Sequence, residues 1–282
     1  MLRLLRPRQW TKNALLFAAL VFAEKLFVPE ALLRAGLAFV CFCLASSSAY
    51  VVNDLVDAPR DRQHPEKRNR PIASGEVGRQ SALLLAVGLT AAALVLGAAL
   101  GARFLGAVLV YLALTHFYSF AGKNVAILDV MLVAAGFVIR AVAGALAIPV
   151  PWSDWFVLCT LFLALFLALS KRRAELLRGG EAASLARPVL AAYTPSTLAA
   201  FTATSMAAAL ITYALYVHAV LGKFPWLGLT LPFVMFGLFR YQLLVETRGL
   251  GEKPEDVVFE DRPFQLCLAG FAVVALAALY FG

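Results

Sequence analysis

Asp54, Asp57 and Asp61 stand at spacings of three and four, with Asn53 beside the first, in a chain that has only 17 acidic residues among 282. On a helix those spacings set the three carboxylates on one face with Asn53 at its edge. Carboxylates this close repel one another unless a cation lies among them. An all-oxygen set suits Mg²⁺, which keeps several waters and is held by one or two carboxylates together with substrate phosphates. Asn53, Asp54, Asp57 and Asp61 are the expected metal ligands. Lys67, Arg68 and Arg70 follow directly and suit phosphate oxygens. Asp54, Asp57, Asp61 and Lys67 then form the expected reacting core, with Arg70 as a substrate contact. Acids for a metal beside bases for phosphate read as a Mg²⁺–diphosphate site. The plain alternative is a solvated loop of mixed charge. The register N-D-x-x-D-x-x-x-D speaks against it, because it follows directly on an apolar run ending at Val52, where a polar cluster is costly and calls for a function.

The elements that must position these residues are membrane helices. The chain is 62% hydrophobic and 15% charged, with 21 Phe, more apolar surface than a soluble domain needs. A span takes about 20 apolar residues. Nine segments qualify: 13–29, 31–52, 80–100, 103–120, 126–148, 153–171, 195–219, 224–245 and 264–281. The expected fold is all-α, one polytopic bundle over 1–282, with no linker, repeat or second domain. The basic N-terminus followed by an apolar run raises the question of a signal peptide. No small-residue cleavage site closes that run, and Trp10 between Arg8 and Lys12 has the character of an interfacial anchor, so a retained first span is expected.

Charge asymmetry sets the orientation. Lys and Arg concentrate in the N-terminus and in the segments around 53–79, 118–129, 171–190 and 246–263. Lys25, Arg34, Arg103 and Lys223 fall on the opposite side, and Arg140 lies inside a span. The positive-inside rule places the N-terminus and those segments in the cytoplasm and the C-terminus outside, in a bacterial plasma membrane. The net charge of +8 is thus spread over loops, which excludes nucleic acid as the expected partner and leaves the lipid bilayer. Cys41, Cys43, Cys159 and Cys267 lie in apolar runs and read as small hydrophobes, not disulfides or a zinc site.

Further polar residues sit at span ends. Tyr118, Lys123 and Asp129 mark the junction of the fourth and fifth spans; Asp129 alone would also serve as a helix-start acid. Arg140, eleven residues deeper, needs a partner, whether a phosphate or an acid. Lys171, Arg172 and Arg173 end the sixth span, and three consecutive residues cannot all enter one pocket. Lys12 and Asn13 lie at headgroup depth, where a lipid phosphate would be met. In the loop 249–263, Asp261 and Arg262 form either part of a solvated surface or a lid, with Gly249 and Gly251 permitting movement. His64, His116 and His218 share no ligand spacing.

The motif Asn53, Asp54, Asp57, Asp61, followed by Arg70-Pro71-Ile72-Ala73-Ser74-Gly75, resembles the first Asp-rich motif of the UbiA-type membrane prenyltransferases. Within that family, RPRQWTKN at the N-terminus and LFLALSKRRAEL near 171 are most like the decaprenyl-phosphate phosphoribosyltransferases. The resemblance covers most of the chain. It implies a Mg²⁺-dependent transfer of phosphoribose from 5-phosphoribosyl 1-pyrophosphate to a polyprenyl phosphate, and it favours Lys171 and Arg172 as phosphate ligands. It also implies a second Asp-rich motif near Asp129, but the position four residues on is Val133. A prenyl diphosphate donor with an aromatic acceptor is the alternative on the same fold. A transporter using Asp129 and Arg140 is the non-enzymatic one.

Overall fold

The computed structural model describes residues 2–63, 67–252 and 254–281, with side chains described outside 179–186 and 252–256. His64 lies outside the described residues. Eight long helices account for most of the chain: α1 (Pro29–Asp61), α2 (Arg79–Leu100), α3 (Ala102–Phe120), α4 (Leu128–Ala147), α5 (Asp154–Ala186), α6 (Pro195–Val220), α7 (Leu231–Arg248) and α8 (Arg262–Tyr280). Each is, in whole, in part (Asp154–Arg178 of α5) or with a flanking turn, long and apolar enough to cross a membrane. This is an all-helical, multi-pass membrane protein, and no strand occurs among the described residues.

All eight of these helices overlie expected spans, within a few residues at most ends. The largest differences are at the ends of α1 and α5, which run on past the apolar stretch to Asp61 and Ala186. The first expected span differs in kind. Residues 13–29 do not form one continuous helix; a 3₁₀ stretch, Pro7–Phe17, leads into a short α-helix, Ala18–Phe22. Arg6 enters it with φ at 50°, and Pro7 opens it. The departure has a physical cause. Polar side chains along this segment take partners on neighbouring helices, and Leu16 and Leu20 are enclosed between them.

The described residues fall into two compact units, Met1–Pro151 and Trp152–Gly282. The first is built on α1 to α4. Its core joins Leu16, Cys41, Phe42, Phe104, Val108 and Tyr111, and small residues, Ala38 and Ala45 on α1 and Ala143 and Ala147 on α4, let the helices approach closely. Arg34 closes the end of this unit away from the carboxylates. It donates to Ala147 O at 2.6 Å and to Leu100 O at 2.9 Å, satisfying C-terminal carbonyls of α4 and α2 that have no partner within their own helices. The second unit is built on α5 to α8, around Phe166, Leu238, Tyr241, Leu244 and Val257. Cys41, Cys43, Cys159 and Cys267 are free thiols, three of them buried.

Candidate active site

The carboxylates sit on the last two turns of α1. The helix continues through Pro59 to Asp61, so the spacings act as helical spacings. Asp54 and Asp61, seven residues apart, are buried and share one cation. Arg70 Nη1 donates to Asp54 Oδ1 at 3.2 Å and to Asp61 Oδ2 at 2.7 Å. Asn53 and Asp57, four apart, form the adjoining row. Asn53 Nδ2 donates to Asp57 Oδ2 at 3.0 Å. Lys123 Nζ, reaching from the turn between α3 and α4, donates to Asn53 Oδ1 at 3.2 Å and Asp57 Oδ1 at 2.5 Å. The four motif residues are therefore arranged as two pairs, each bound by a base from a separate segment.

Arg6 supplies a further base. Its Nη2 donates to Asp54 Oδ1 at 2.5 Å, and its guanidinium lies 5.0 Å from the centre of the Tyr50 ring. Nothing in residue type or spacing singles out Arg6 from the other bases of the N-terminus. Its selection depends on the left-handed turn that it makes itself. Three carboxylates and three cations thus meet at the end of α1, which settles the mutual repulsion that the spacing implies. Lys67, in the short turn Lys67–Asn69, and Tyr118, near the end of α3, are half-buried. Asp129 is fully buried in the first turn of α4.

Asn13 and Arg140 turn to one another instead of to the carboxylates. Arg140 Nε donates to Asn13 Oδ1 at 2.7 Å, Nη2 to Tyr111 OH at 2.7 Å and Nη1 to Gly136 O at 2.8 Å. The expected partner of Arg140 was a phosphate or an acid, and its hydrogen-bond partners here are all neutral. The faces of Tyr111 and Phe137 lie 4.7 and 5.5 Å from the guanidinium carbon and supply the remaining electrostatic support. Lys12, next to Asn13, is half-buried.

In the second unit, Lys171 is half-buried on α5, and Arg172 is buried with Nη1 3.2 Å from Glu175 Oε2, which also receives Arg187. Arg173 pairs with Glu246. Arg172 and Arg173 thus diverge to different acids, as consecutive positions on a helix require. The loop before α8 is anchored. Asp261 is the N-cap of α8, accepting from Phe264 N at 2.9 Å, and is gripped by both arms of Arg240 at 3.1 and 2.7 Å. The Arg240 hydrogen bonds, then the Phe264 N–H, hold its carboxyl below the usual aspartate range. Arg262 beside it is exposed. Gly249 ends α7 in the left-handed conformation, φ 66°. Gly251 is a packing glycine, since a Cβ there would lie 2.8 Å from Ala174 Cβ and 2.9 Å from Val245 Cγ1. His116 bonds to the Leu112 carbonyl within α3 at 2.6 Å.

Among the described residues, no three His, Cys, Asp or Glu side chains converge to cage a metal ion by themselves. The donor chemistry nevertheless fits Mg²⁺ in its usual mode, in which one or two carboxylates share the ion with substrate phosphates. Asn53 with Asp57, and Asp54 with Asp61, are the two pairs that offer oxygen ligands in that way.

A helical membrane bundle with a paired Asp-rich site at one helix end defines a class of membrane transferase, and residues 14–254 match the UbiA prenyltransferase family. The chain belongs to that family. Among characterised proteins it is 34% identical to the decaprenyl-phosphate phosphoribosyltransferase of Mycolicibacterium smegmatis, covering 100% of this chain and 92% of that protein. It is 35% identical to the enzyme of the same name from Mycobacterium tuberculosis H37Rv, covering 99% and 93%. In fold it is similar to a UbiA homolog from Archaeoglobus fulgidus bound to DMAPP and Mg²⁺, with a TM-score of 0.76 at 23% identity over 99% of this chain and 98% of that one.

Proposed function

We propose that the chain transfers the 5-phosphoribosyl group of 5-phosphoribosyl 1-pyrophosphate to a decaprenyl-type polyprenyl phosphate, with release of pyrophosphate. The observation that carries this reading is the likeness, over the whole chain, to decaprenyl-phosphate phosphoribosyltransferases. The geometry at the end of α1 is suited to the chemistry. Departure of pyrophosphate from an anomeric carbon builds positive charge on the sugar and negative charge on the leaving group. Bound Mg²⁺ would neutralise the leaving group, and Asn53, Asp54, Asp57 and Asp61 are the residues that would hold it.

Arg70 and Lys123 already reach the carboxylates, and with Lys67 and Tyr118 they stand ready to share their hydrogen bonds with donor phosphates. The acceptor is itself an ionised phosphate and needs no strong general base, in keeping with His116 being engaged within its own helix. Lys12 and Asp129 are further proposed substrate contacts within the first unit; Lys171, Arg172 and Arg262 are proposed phosphate contacts within the second. The carboxylates and their bases face the cytoplasm in this reading, since the charge bias of the segments that carry them follows the positive-inside rule.

The test is a competition between donors. Purified protein with Mg²⁺ is offered ribose-labelled 5-phosphoribosyl 1-pyrophosphate with a polyprenyl phosphate, and in parallel labelled prenyl diphosphate with aromatic acids. Label passing from the ribose donor to the lipid phase supports the proposal. Label passing only from prenyl diphosphate to an aromatic acceptor overturns the substrate pair.

A further inference from the structure

The polar cluster around Arg140 lies apart from the carboxylates. Ser46, which receives Asn13, and Asp54, which receives Arg6, are eight residues apart on α1, about 12 Å along a helix axis. Arg140 is 6% exposed and its three polar partners are neutral, so it is engaged as a donor within the protein at this depth. What it holds is the N-terminal segment. Asn13 is fully buried and ties its segment to two helices at once: its Oδ1 accepts from Arg140 on α4, and its Nδ2 donates to Ser46 Oγ and Cys43 Sγ on α1, both at 3.3 Å.

The same segment is fastened at three further points. Trp10 Nε1 donates to Ser47 Oγ at 3.1 Å, and that hydroxyl donates to Leu5 O at 2.9 Å. Against α4 the fit is steric. A Cβ on Gly144 would stand 2.2 Å from the Leu16 carbonyl oxygen and 2.9 Å from its carbon, both backbone atoms that cannot move aside cheaply. At its outer end the segment delivers Arg6 to Asp54. A 3₁₀ stretch of eleven residues is far longer than such helices usually run, and its hydrogen bonds are poorer than those of an α-helix, so it needs tertiary contacts to persist.

We propose that Arg140, acting through Asn13, is a positioning residue. It latches the segment Pro7–Phe17 into the groove between α1 and α4, and thereby sets Arg6 against Asp54 at the reacting end of α1. Gly144 is the second half of the latch. The role rests on the site described above, and its first readout needs no substrate. Failure of phosphoribosyl transfer in the unmodified protein would therefore count against the function, while hydrogen exchange would still judge the latch.

The experiment compares full-length Arg140→Met, Gly144→Ala and Asn13→Asp proteins with the unmodified chain. Amide exchange is followed in peptides covering 7–17, with peptides of α2 as an internal control for folding. Arg140→Met and Gly144→Ala break the latch by unrelated means, and each should speed exchange in 7–17 by about tenfold or more while α2 is unchanged. The KM for the phosphoribosyl donor should rise by about tenfold with kcat altered much less, because the lost interaction is one of binding at Asp54. Asn13→Asp, which keeps the acceptor for Arg140 but loses the donor to Ser46 and Cys43, should keep more protection in 7–17 and a lower KM than Arg140→Met, and equal losses in the two would overturn the role given to Arg140. Unchanged exchange in both latch variants overturns the proposal, as does faster exchange with an unchanged KM. If either latch variant fails to fold, shown by loss of α2 protection, Asn13→Leu takes its place with the same two expected results.

Discussion

At the scale of single residues, the site is a balance of three acids and three bases drawn from different parts of the first unit. Asp57 is the most telling acid for the proposed reaction, because it is bound by Asn53 and Lys123 but is less enclosed than Asp54 and Asp61. Asp57→Asn keeps the size and the bond to Asn53 but removes the negative charge. Turnover should fall by about a hundredfold or more, comparable to removing one strong electrostatic contact from a transition state. Thermal stability and membrane insertion should be close to those of the unmodified protein. Turnover near normal would remove Asp57 from the chemistry. Of the site residues, Asn53, Asp54, Asp57, Asp61, Arg70 and Lys123 were legible from their types and spacing, because a helix converts that spacing into contact. Arg6 was not, since its place depends on a backbone turn with no composition signal, and Asn13 with Arg140 form a long-range pair that no local spacing records.

At the scale of elements, helix ends account for much of what surrounds the site. Arg34 illustrates this: by net charge it is one stray base on the side opposite the carboxylates, yet it donates to the final carbonyls of two helices. Arg34→Met should lower stability by about 2 kcal/mol, the usual value of hydrogen bonds from a charged group, without changing KM, as measured by denaturation in detergent beside steady-state kinetics. Asp261 fixes the start of α8 and ties it to α7 through Arg240. Its carboxyl is held below the usual value of 3.8, so the charged form is favoured in the folded protein. The stability it contributes is fully present above that value and is lost as pH falls through the lower folded value. Asp261→Asn should therefore lower the melting temperature at pH 7, and the gap between variant and unmodified protein should close as pH drops below 3.8. A gap that is constant with pH would show that only the cap, and not the charge, matters. The same anchoring pins at Asp261 the loop before α8, which by composition could have been a mobile lid, and Gly251 within that loop packs against Ala174 and Val245.

At the scale of the whole molecule, a chain this apolar had to be a helical membrane protein, and eight of the nine expected spans need only modest shifts of their ends to match helices, apart from the long extensions of α1 and α5. Those extensions continue into polar sequence, where apolar length no longer marks the boundary and helical pairing must be known instead. The remaining segment, 13–29, is not one continuous helix, because hydropathy counts apolar residues and is blind to where Asn13, Trp10 and the Leu16 carbonyl find their partners. The division into Met1–Pro151 and Trp152–Gly282 falls beside Pro149 and Pro151, which end the α4 segment, though nothing in composition marks a linker there. The central claim is that the paired carboxylates of α1 support a metal-assisted phosphoribosyl transfer to lipid. It is tested most directly by following ribose label from 5-phosphoribosyl 1-pyrophosphate into polyprenyl phosphate with the unmodified protein and with Asp57→Asn, each with Mg²⁺ and with EDTA. Transfer should occur with the unmodified protein and Mg²⁺ alone, and be lost with chelator or with the substitution. Transfer that persists in EDTA, or that is equal in Asp57→Asn, would contradict it.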